Sequence, residues 1–506
     1  MFFGSSLLAV LPLWLVRHPP LQDLPQHLAA IRVLSGFGSP ELGFAKWFVL
    51  SLGSTQYLSY YLAAWVLALP FGVFIANKLL LSAAIAGLPY ALRALLRALD
   101  RDQDMALFVL PLTYNAHLIL GFFNFIAALP LCLWGLALAV RQRTEPTRRR
   151  AILLGVLGVV TFYTHVVPFG FFVLGSALVG LGDSLKATLR RWLPLVPAVL
   201  AAALWTRIAP AGGALLGALR LGPHSALAGP RPQYTSFGEA LRQVPEWLTD
   251  VLYREYDEQL LVAWGLLLIV CIGLGAGARA DDDRPSVERA LRGRLLRRLG
   301  WLAPLAALLY FVTPASYDWI WPINTRFPLL ALLFLLIALP APRGLARVGV
   351  LAAVTAVSVL GFLEIANAFR RFEREEVGDL DRAIAAVPPG QKLVGLIWDR
   401  GSRQVKFSPF IHAAAWYQAE KGGAVMFSFA DFPQSPFKFK ASDRPPRVPP
   451  RWEWEPSRVD PINDLAWYDY VLTRGDPGQL ARHGGVFESV YQGSRWAVWR
   501  RRHPPT

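Results

Sequence analysis

Through residues 1–366, apolar stretches of membrane-crossing length alternate with short arginine-rich clusters, and that alternation restricts the fold more than any other feature. A bilayer core needs roughly 20 apolar residues per helical crossing, and cytoplasmic loops collect Lys and Arg. The clusters are Arg93/Arg97/Arg101, Arg141/Arg143/Arg148/Arg149/Arg150, Lys186/Arg190/Arg191, the stretch 279–298, and Arg343/Arg347. With all of them cytoplasmic, each apolar stretch between two clusters is a hairpin. Residues 105–140, 151–182 and 299–341 each hold two short spans, and 193–277 holds two spans around an outer loop, 207–259.

The N-terminal stretch 1–16 lacks a basic leader and a small-residue cleavage site, so it reads as an uncleaved first span. Residues 17–56 then form a first outer loop, and parity leaves one crossing before the Arg93 cluster. Residues 57–96 are apolar enough for two. The aromatic half, 57–72, with Tyr57, Tyr60, Tyr61 and Trp65, suits the membrane–water boundary and is expected as an interfacial or re-entrant helix. Residues 74–92 span, and a last helix, 348–366, exits outward. The expected architecture is a polytopic α-helical membrane protein of about eleven transmembrane helices, N-terminus inside, with a C-terminal α/β soluble domain outside.

Composition agrees: the chain is 54% hydrophobic and 17% charged. Its net charge of +16 is spread over inter-span clusters rather than one groove or stripe, which argues against a nucleic-acid partner. Cys132 and Cys271 both sit in apolar runs, so a disulfide framework is excluded. Richness in Ala, Leu, Arg, Gly and Pro points to a bacterial chain, and hence to the bacterial inner membrane.

From residue 367 onward charges become frequent, so 1–366 and 367–506 divide as transmembrane and extracytoplasmic domains. In the tail, 393–398, 424–429 and 468–473 read as strands, 412–421 and 477–482 as helices, and 486–492 with 495–501 as a hairpin across Gly493 and Ser494. The Pro- and Trp-rich stretch 433–461 reads as irregular. The tail is expected to be a lid or docking module without catalytic groups.

The first outer loop opens HPPLQDLPQHLAAIRVLSG, followed by an apolar interfacial segment and GVFIANKLLLSAAIAGLPYALRALLRAL. Later come LPLTYNAHLILGFFNFIAALPL and WIWPINTRFPLL. This layout resembles the GT-C superfamily of membrane glycosyltransferases, which includes protein O-mannosyltransferases and an aminoarabinose transferase of lipid A. The resemblance implies a catalytic acid just after the first span, a polyprenyl-phosphate-linked sugar donor, and an outer-face acceptor that is glycan, lipid or protein. It also implies that Lys78 stands where the family carries a basic residue, and that Arg326 lies in a loop where an Arg meets the lipid phosphate. The chain departs from the family in having a single acid, Asp23, in place of a pair, and in lacking an Asp-x-Asp motif in its outer loops. Asp281, Asp282 and Asp283 fall in a cytoplasmic loop. No cofactor is therefore expected and no metal site is supported.

Read as chemistry, Asp23 is the catalytic candidate: an attacking hydroxyl must lose a proton, and a carboxylate near the membrane surface can take it. The same residue before Leu24 and Pro25 is also a good helix N-cap. His27, four residues on, shares its helix face and is a substrate-binding candidate whose default is pairing with Asp23. Arg326 and Lys78 are candidates for a departing phosphate; Arg326 also fits a side chain snorkelling at a span end. Lys78 inside an apolar run needs a partner or a function. Asn115, His117, Asn124 and His165 fall at outer hairpin ends and are substrate-binding candidates that could equally bond between helices. Glu41 and Glu364 are secondary acid/base candidates, and Tyr317, Trp319 and Trp321 read as interfacial aromatics. The function expected is inverting sugar transfer, favouring an enzyme. A transporter or lipid flippase, or a non-catalytic envelope-polysaccharide assembly protein, is the alternative.

Overall fold

The computed structural model describes residues 2–182, 184–218, 232–254, 256–276, 287–317, 320–442, 444–446 and 448–502. Trp319 and the three aspartates 281–283 lie outside the described residues. Among the described residues, six helices are long and apolar enough to cross a membrane: Leu58–Ala98, Phe123–Thr144, Leu185–Ile208, Tyr256–Ala276, Val287–Val312 and Gly344–Val377. Three shorter apolar helices are Phe2–Trp14, Val166–Gly180 and Arg326–Ala338.

The Leu58–Ala98 run is broken at Gly72, whose φ of 75° and ψ of 164° are not helical. Positive φ there favours glycine, which has no Cβ to clash. The break separates the aromatic limb from the limb carrying Lys78, and Tyr60 Oη bridges it by donating to Asn77 Oδ1 at 2.7 Å.

The chain divides into two compact units. The helical unit comprises Met1–Pro12, Leu81–Leu118 and Phe122–Ile365. Its helices approach closely where glycine faces a large side chain. A methyl at Gly135 would come within 2.2 Å of the Phe172 ring, and one at Gly175 within 2.5 Å of Leu136. Small residues that let helices close on aromatic and leucine side chains are the usual packing device where lipid removes the hydrophobic drive between helices. At one end, Arg347 holds Asp102 at 3.0 Å and Asp104 at 2.6 Å.

The mixed unit comprises Leu13–Leu80, Ile119–Gly121 and Ala366–Thr506. Its strands are β1 Phe48–Leu50, β2 Lys392–Ile397, β3 Ala424–Val425, β4 Phe437–Phe439, β5 Tyr470–Arg474, β6 Phe487–Gln492 and β7 Trp496–Arg501. Five form one sheet in the order β3-β2-β5-β7-β6, with β2 parallel to β3 and β5, and β7 antiparallel to β5 and β6. The helix Ala414–Lys421 makes the crossover from β2 to β3, as a parallel pair requires. The apolar side of the sheet closes over Val394, Leu396, Val471, Tyr468 and Phe487.

The hairpin runs 487–492 and 496–501, as its Gly-Ser turn predicts, and the expected strand at 424–429 is only two residues long before a 3-10 turn at Phe429–Asp431. The expected helix at 477–482 is replaced by one short turn, Ala481–His483.

Residues 17–56 are built into this same unit. The helix Leu24–Gly36 packs on Ala414–Lys421. Strand β1 pairs antiparallel with β4, Phe48 opposite Phe439, and Gly423 N donates to Leu42 O at 2.7 Å.

Candidate active site

Asp23 immediately precedes the helix Leu24–Gly36, with Pro25 in its first turn. Its side chain makes no capping bond, so the capping expected from its position is not what holds it. The backbone does that instead: Gln22 N donates to Ile119 O at 2.8 Å and Asp23 N to Leu120 O at 3.2 Å. Gly121, at φ 93°, lies flat against this turn, and a methyl there would come within 2.6 Å of Asp23 Cβ. Only glycine fits so close an approach at a left-handed φ.

The Asp23 carboxylate is turned toward the C-terminal part of the unit. His412 Nε2 stands 3.2 Å from Asp23 Oδ1, and His412 Nδ1 stands 2.7 Å from Glu453 Oε1. The three side chains are only 15%, 12% and 14% exposed for Asp23, His412 and Glu453. An imidazole facing a carboxylate at each nitrogen must donate from both, which requires its charged form. Burial pushes His412 down, but Glu453 and Asp23 outweigh it and raise its pKa to about 10. Burial pushes Glu453 up, opposed by the His412 charge. With both nitrogens occupied, His412 is no metal ligand, and no group of three or more His, Cys, Asp or Glu could hold a metal among the described residues. Asp23 Oδ2 makes no hydrogen bond among the described residues, so one carboxylate oxygen is fixed and the other is available.

Neighbouring contacts fix the helix bearing Asp23. Gln26 Nε2 donates to Phe427 O at 2.9 Å while its Oε1 accepts from Phe429 N at 3.2 Å. Gln22 Oε1 accepts from Ser408 N at 3.1 Å. Phe407 and Phe427, beside those contacts, both adopt positive φ. Such backbone costs a non-glycine residue roughly 1–3 kcal/mol and persists only where the surroundings impose it.

His27 does not take the pairing with Asp23 expected of it. Its Nε2 donates to Gly121 O at 2.8 Å, and Nδ1 accepts from Tyr61 Oη at 2.9 Å. Burial lowers its pKa to about 4, so the ring is neutral and the tautomer follows from the carbonyl it meets. A second histidine, His18, was not singled out by the sequence. It lies 3.1 Å from Glu373 Oε1 through Nδ1 and 3.1 Å from Asp381 Oδ1 through Nε2, edge-on to Trp416. Burial pushes it down, yet Asp381 and Glu373 prevail and its pKa is raised. Arg17 adds a bond to Glu420 at 2.8 Å. Lys78, in the same unit, donates to Val16 O at 2.6 Å and faces the Trp14 ring. Glu41 is exposed in a turn.

In the helical unit, His117, His165 and Arg326 gather around one ring, Phe125, at 5.1, 5.4 and 5.9 Å. Arg326 is 9% exposed, donates to Pro322 O, and lies over Phe122. A guanidinium so buried is not snorkelling to water. His117 Nε2 meets Thr325 Oγ1 at 3.2 Å, and its Nδ1 is buried without a partner among the described residues. Asn115 Oδ1 accepts from His117 N at 3.0 Å and Leu118 N at 3.2 Å, opening a short helix. His165 Nδ1 caps Val166–Gly180 by accepting from Val167 N. Asn124 is buried, and its Oδ1 has no partner among the described residues. Glu364 borders a crevice of about 40 Å³ with Asp257 and Ser358.

Two solved structures share this architecture. The crystal structure of ArnT from Cupriavidus metallidurans bound to undecaprenyl phosphate is similar with a TM-score of 0.50 and 15% identity, covering 98% of this chain and 97% of that one. The cryo-EM structure of the arabinofuranosyltransferase AftD from Mycobacteria gives a TM-score of 0.52 and 15% identity, over 99% of this chain and 41% of that one. The chain shares the membrane-protein fold of these two structures. No protein-family model and no curated protein matches it by sequence. With this fold and its apolar helices, the chain is a multi-pass membrane protein.

His412, Glu453 and His18 escaped the sequence reading. A lone histidine in a soluble-looking tail carries no periodic or spacing signal, and Glu453 sits in the stretch 433–461 read as irregular. The only available hint for His18 was a titratable group directly after a span, in the same loop as Asp23.

Proposed function

We propose that the chain transfers a sugar from a polyprenyl-phosphate-linked donor to an acceptor at the outer face of the bacterial inner membrane, with inversion. The GT-C fold supports the donor class, since ArnT, which shares it, was solved with undecaprenyl phosphate bound. The single observation that carries the reading is the Asp23–His412 contact, with Asp23 Oδ2 left open. The acceptor O–H gives its proton to Asp23 as its oxygen bonds the anomeric carbon. The bond from that carbon to the phosphate oxygen breaks, and its electrons leave with the polyprenyl phosphate.

His412 and Glu453 are positioning residues. The imidazolium holds Oδ1 and so aims Oδ2, while Glu453 keeps the ring charged and oriented. His27, closed off by Tyr61 and Gly121, props the helix under Asp23. Lys78 serves the leaving phosphate: its ammonium has three N–H groups, and among the described residues one acceptor, Val16 O, is present. Arg326 is assigned to the anionic part of the donor on the chemistry of its guanidinium, with His117 and Asn124 as substrate-binding groups beside it.

The test uses the purified full chain in proteoliposomes with polyprenyl-phosphate sugars, following release of polyprenyl phosphate. Asp23→Asn is expected to cut turnover by about 10²–10⁴ at unchanged protein yield. Full turnover in that variant would sink the proposal.

A further inference from the structure

At the ends of the helices Phe123–Thr144, Arg148–Phe162, Val166–Gly180 and Leu185–Trp192, within the helical unit, lies a cleft of about 830 Å³. Among the described residues, Arg143, Arg148, Lys186, Arg190 and Arg191 line it, and no Asp or Glu does. Glu145, close by in sequence, pairs at 2.8 Å with Arg150, which is not among the lining residues. Two helices begin at its rim: Thr147 Oγ1 caps one through Arg150 N, and Ser184 Oγ caps the other through Ala187 N. Helix N-termini add partial positive charge to that of the side chains.

Two buried groups in the lining are donors suited to an anion. Thr161, Thr355 and Ser358, on apolar helices of this unit, each donate to the carbonyl four residues back. Ser176 does not: it is 5% exposed and its Oγ has no partner among the described residues. Arg191 Nη1 is likewise buried without a partner among the described residues. A buried hydroxyl and a buried guanidinium N–H left unpaired are costly unless something accepts from them. The remaining wall is apolar, with Leu154, Val179, Pro194 and Leu193, the last 63% exposed. An anion alone would leave that wall in water, whereas an acyl chain would cover it.

We infer that this cleft binds the phosphodiester headgroup of an anionic phospholipid, with Arg191, Arg148 and Ser176 as its ligands and the leucine wall against an acyl chain. Basic pockets between transmembrane helices are suited to such headgroups, at roughly 1 kcal/mol per cation near the surface. The charge rule puts these clusters on the cytoplasmic face, where such lipids are presented. The inference is independent of the proposed reaction.

The experiment is native mass spectrometry of the full chain in neutral detergent, titrated with phosphatidylglycerol, phosphatidylcholine or inorganic phosphate. Phosphatidylglycerol is expected to bind about tenfold more tightly than phosphatidylcholine, and R148Q/R191Q to bring the two within about threefold. R297Q, an arginine outside the cleft, is expected to keep the preference, which separates a site from overall charge. S176A, a mild change that a helix tolerates, is expected to weaken phosphatidylglycerol binding about threefold, and serves where the double variant does not fold. Equal binding of the two lipids by the unaltered chain, or a preference untouched in both cleft variants, overturns the site. Inorganic phosphate binding as tightly as phosphatidylglycerol overturns the lipid assignment.

Discussion

His412 reaches Asp23 at 3.2 Å from nearly the opposite end of the chain, and it does so with its other nitrogen already held by Glu453. The geometry makes an acid of the first loop depend on two residues of the tail, and it has measurable consequences.

Removing the imidazole should weaken the reaction without abolishing it. In His412→Gln, Asp23 keeps its oxygens but loses the charged group that aims one of them. Turnover is expected to fall about 10–100-fold, less than for Asp23→Asn. A positioning role also requires the pH–rate profile to shift in His412→Gln. A variant with wild-type turnover and an unmoved profile would show that His412 only packs.

Stability should respond to alkali through the same residue. The folded pKa of His412, about 10, lies above the ordinary 6.5. Its contribution is therefore complete below about pH 6.5 and drains away as pH rises through about 10. The margin in apparent melting temperature of wild type over His412→Gln is expected to shrink across that window. His27 acts in the opposite sense: its folded pKa near 4 means that stability falls as pH drops from 6.5 toward 4. His27→Gln should blunt that acid limb, and an unchanged acid limb would show that the ring is not held neutral.

Gly121→Ala tests whether the close approach to Asp23 matters. The new methyl meets Asp23 Cβ at 2.6 Å on a backbone with φ 93°. A cost of about 2–4 kcal/mol is expected from overpacking and left-handed strain together. Melting curves read the loss, and turnover should fall beyond what the lowered folded fraction explains, because the clash displaces the base itself.

Lys78→Gln should act on the lipid donor and not on the acceptor. If its ammonium holds the leaving phosphate, turnover falls and the donor KM rises, while the acceptor KM stays constant. A change confined to expression level would reduce Lys78 to a brace on Val16.

What the sequence disclosed follows from where each signal is stored. A helix such as Tyr256–Ala276 announces itself because residues 260–276 are apolar without a break, and the β6–β7 hairpin because Gly493 and Ser494 mark its turn. The break at Gly72 falls at the end of the stretch expected to lie along the membrane surface, since the aromatic residues concentrate on one side of it. Strand β1 was beyond reach: three residues carry no alternation, and its partner β4 is remote in sequence. Asp23 could be named from its place after a span. Its neighbours could not, because the Asp23–His412–Glu453 contact exists only once the unit has closed.

The β1–β4 ribbon joins a segment made early in synthesis to one made near its end. While the ribosome is still working through the intervening spans, the loop bearing Asp23 has no β4 to lean on and no imidazole to meet. The Asp23–His412–Glu453 contact thus forms only as the chain nears its end, and a chain stalled short of residue 453 would carry Asp23 without the full set of side chains that holds it.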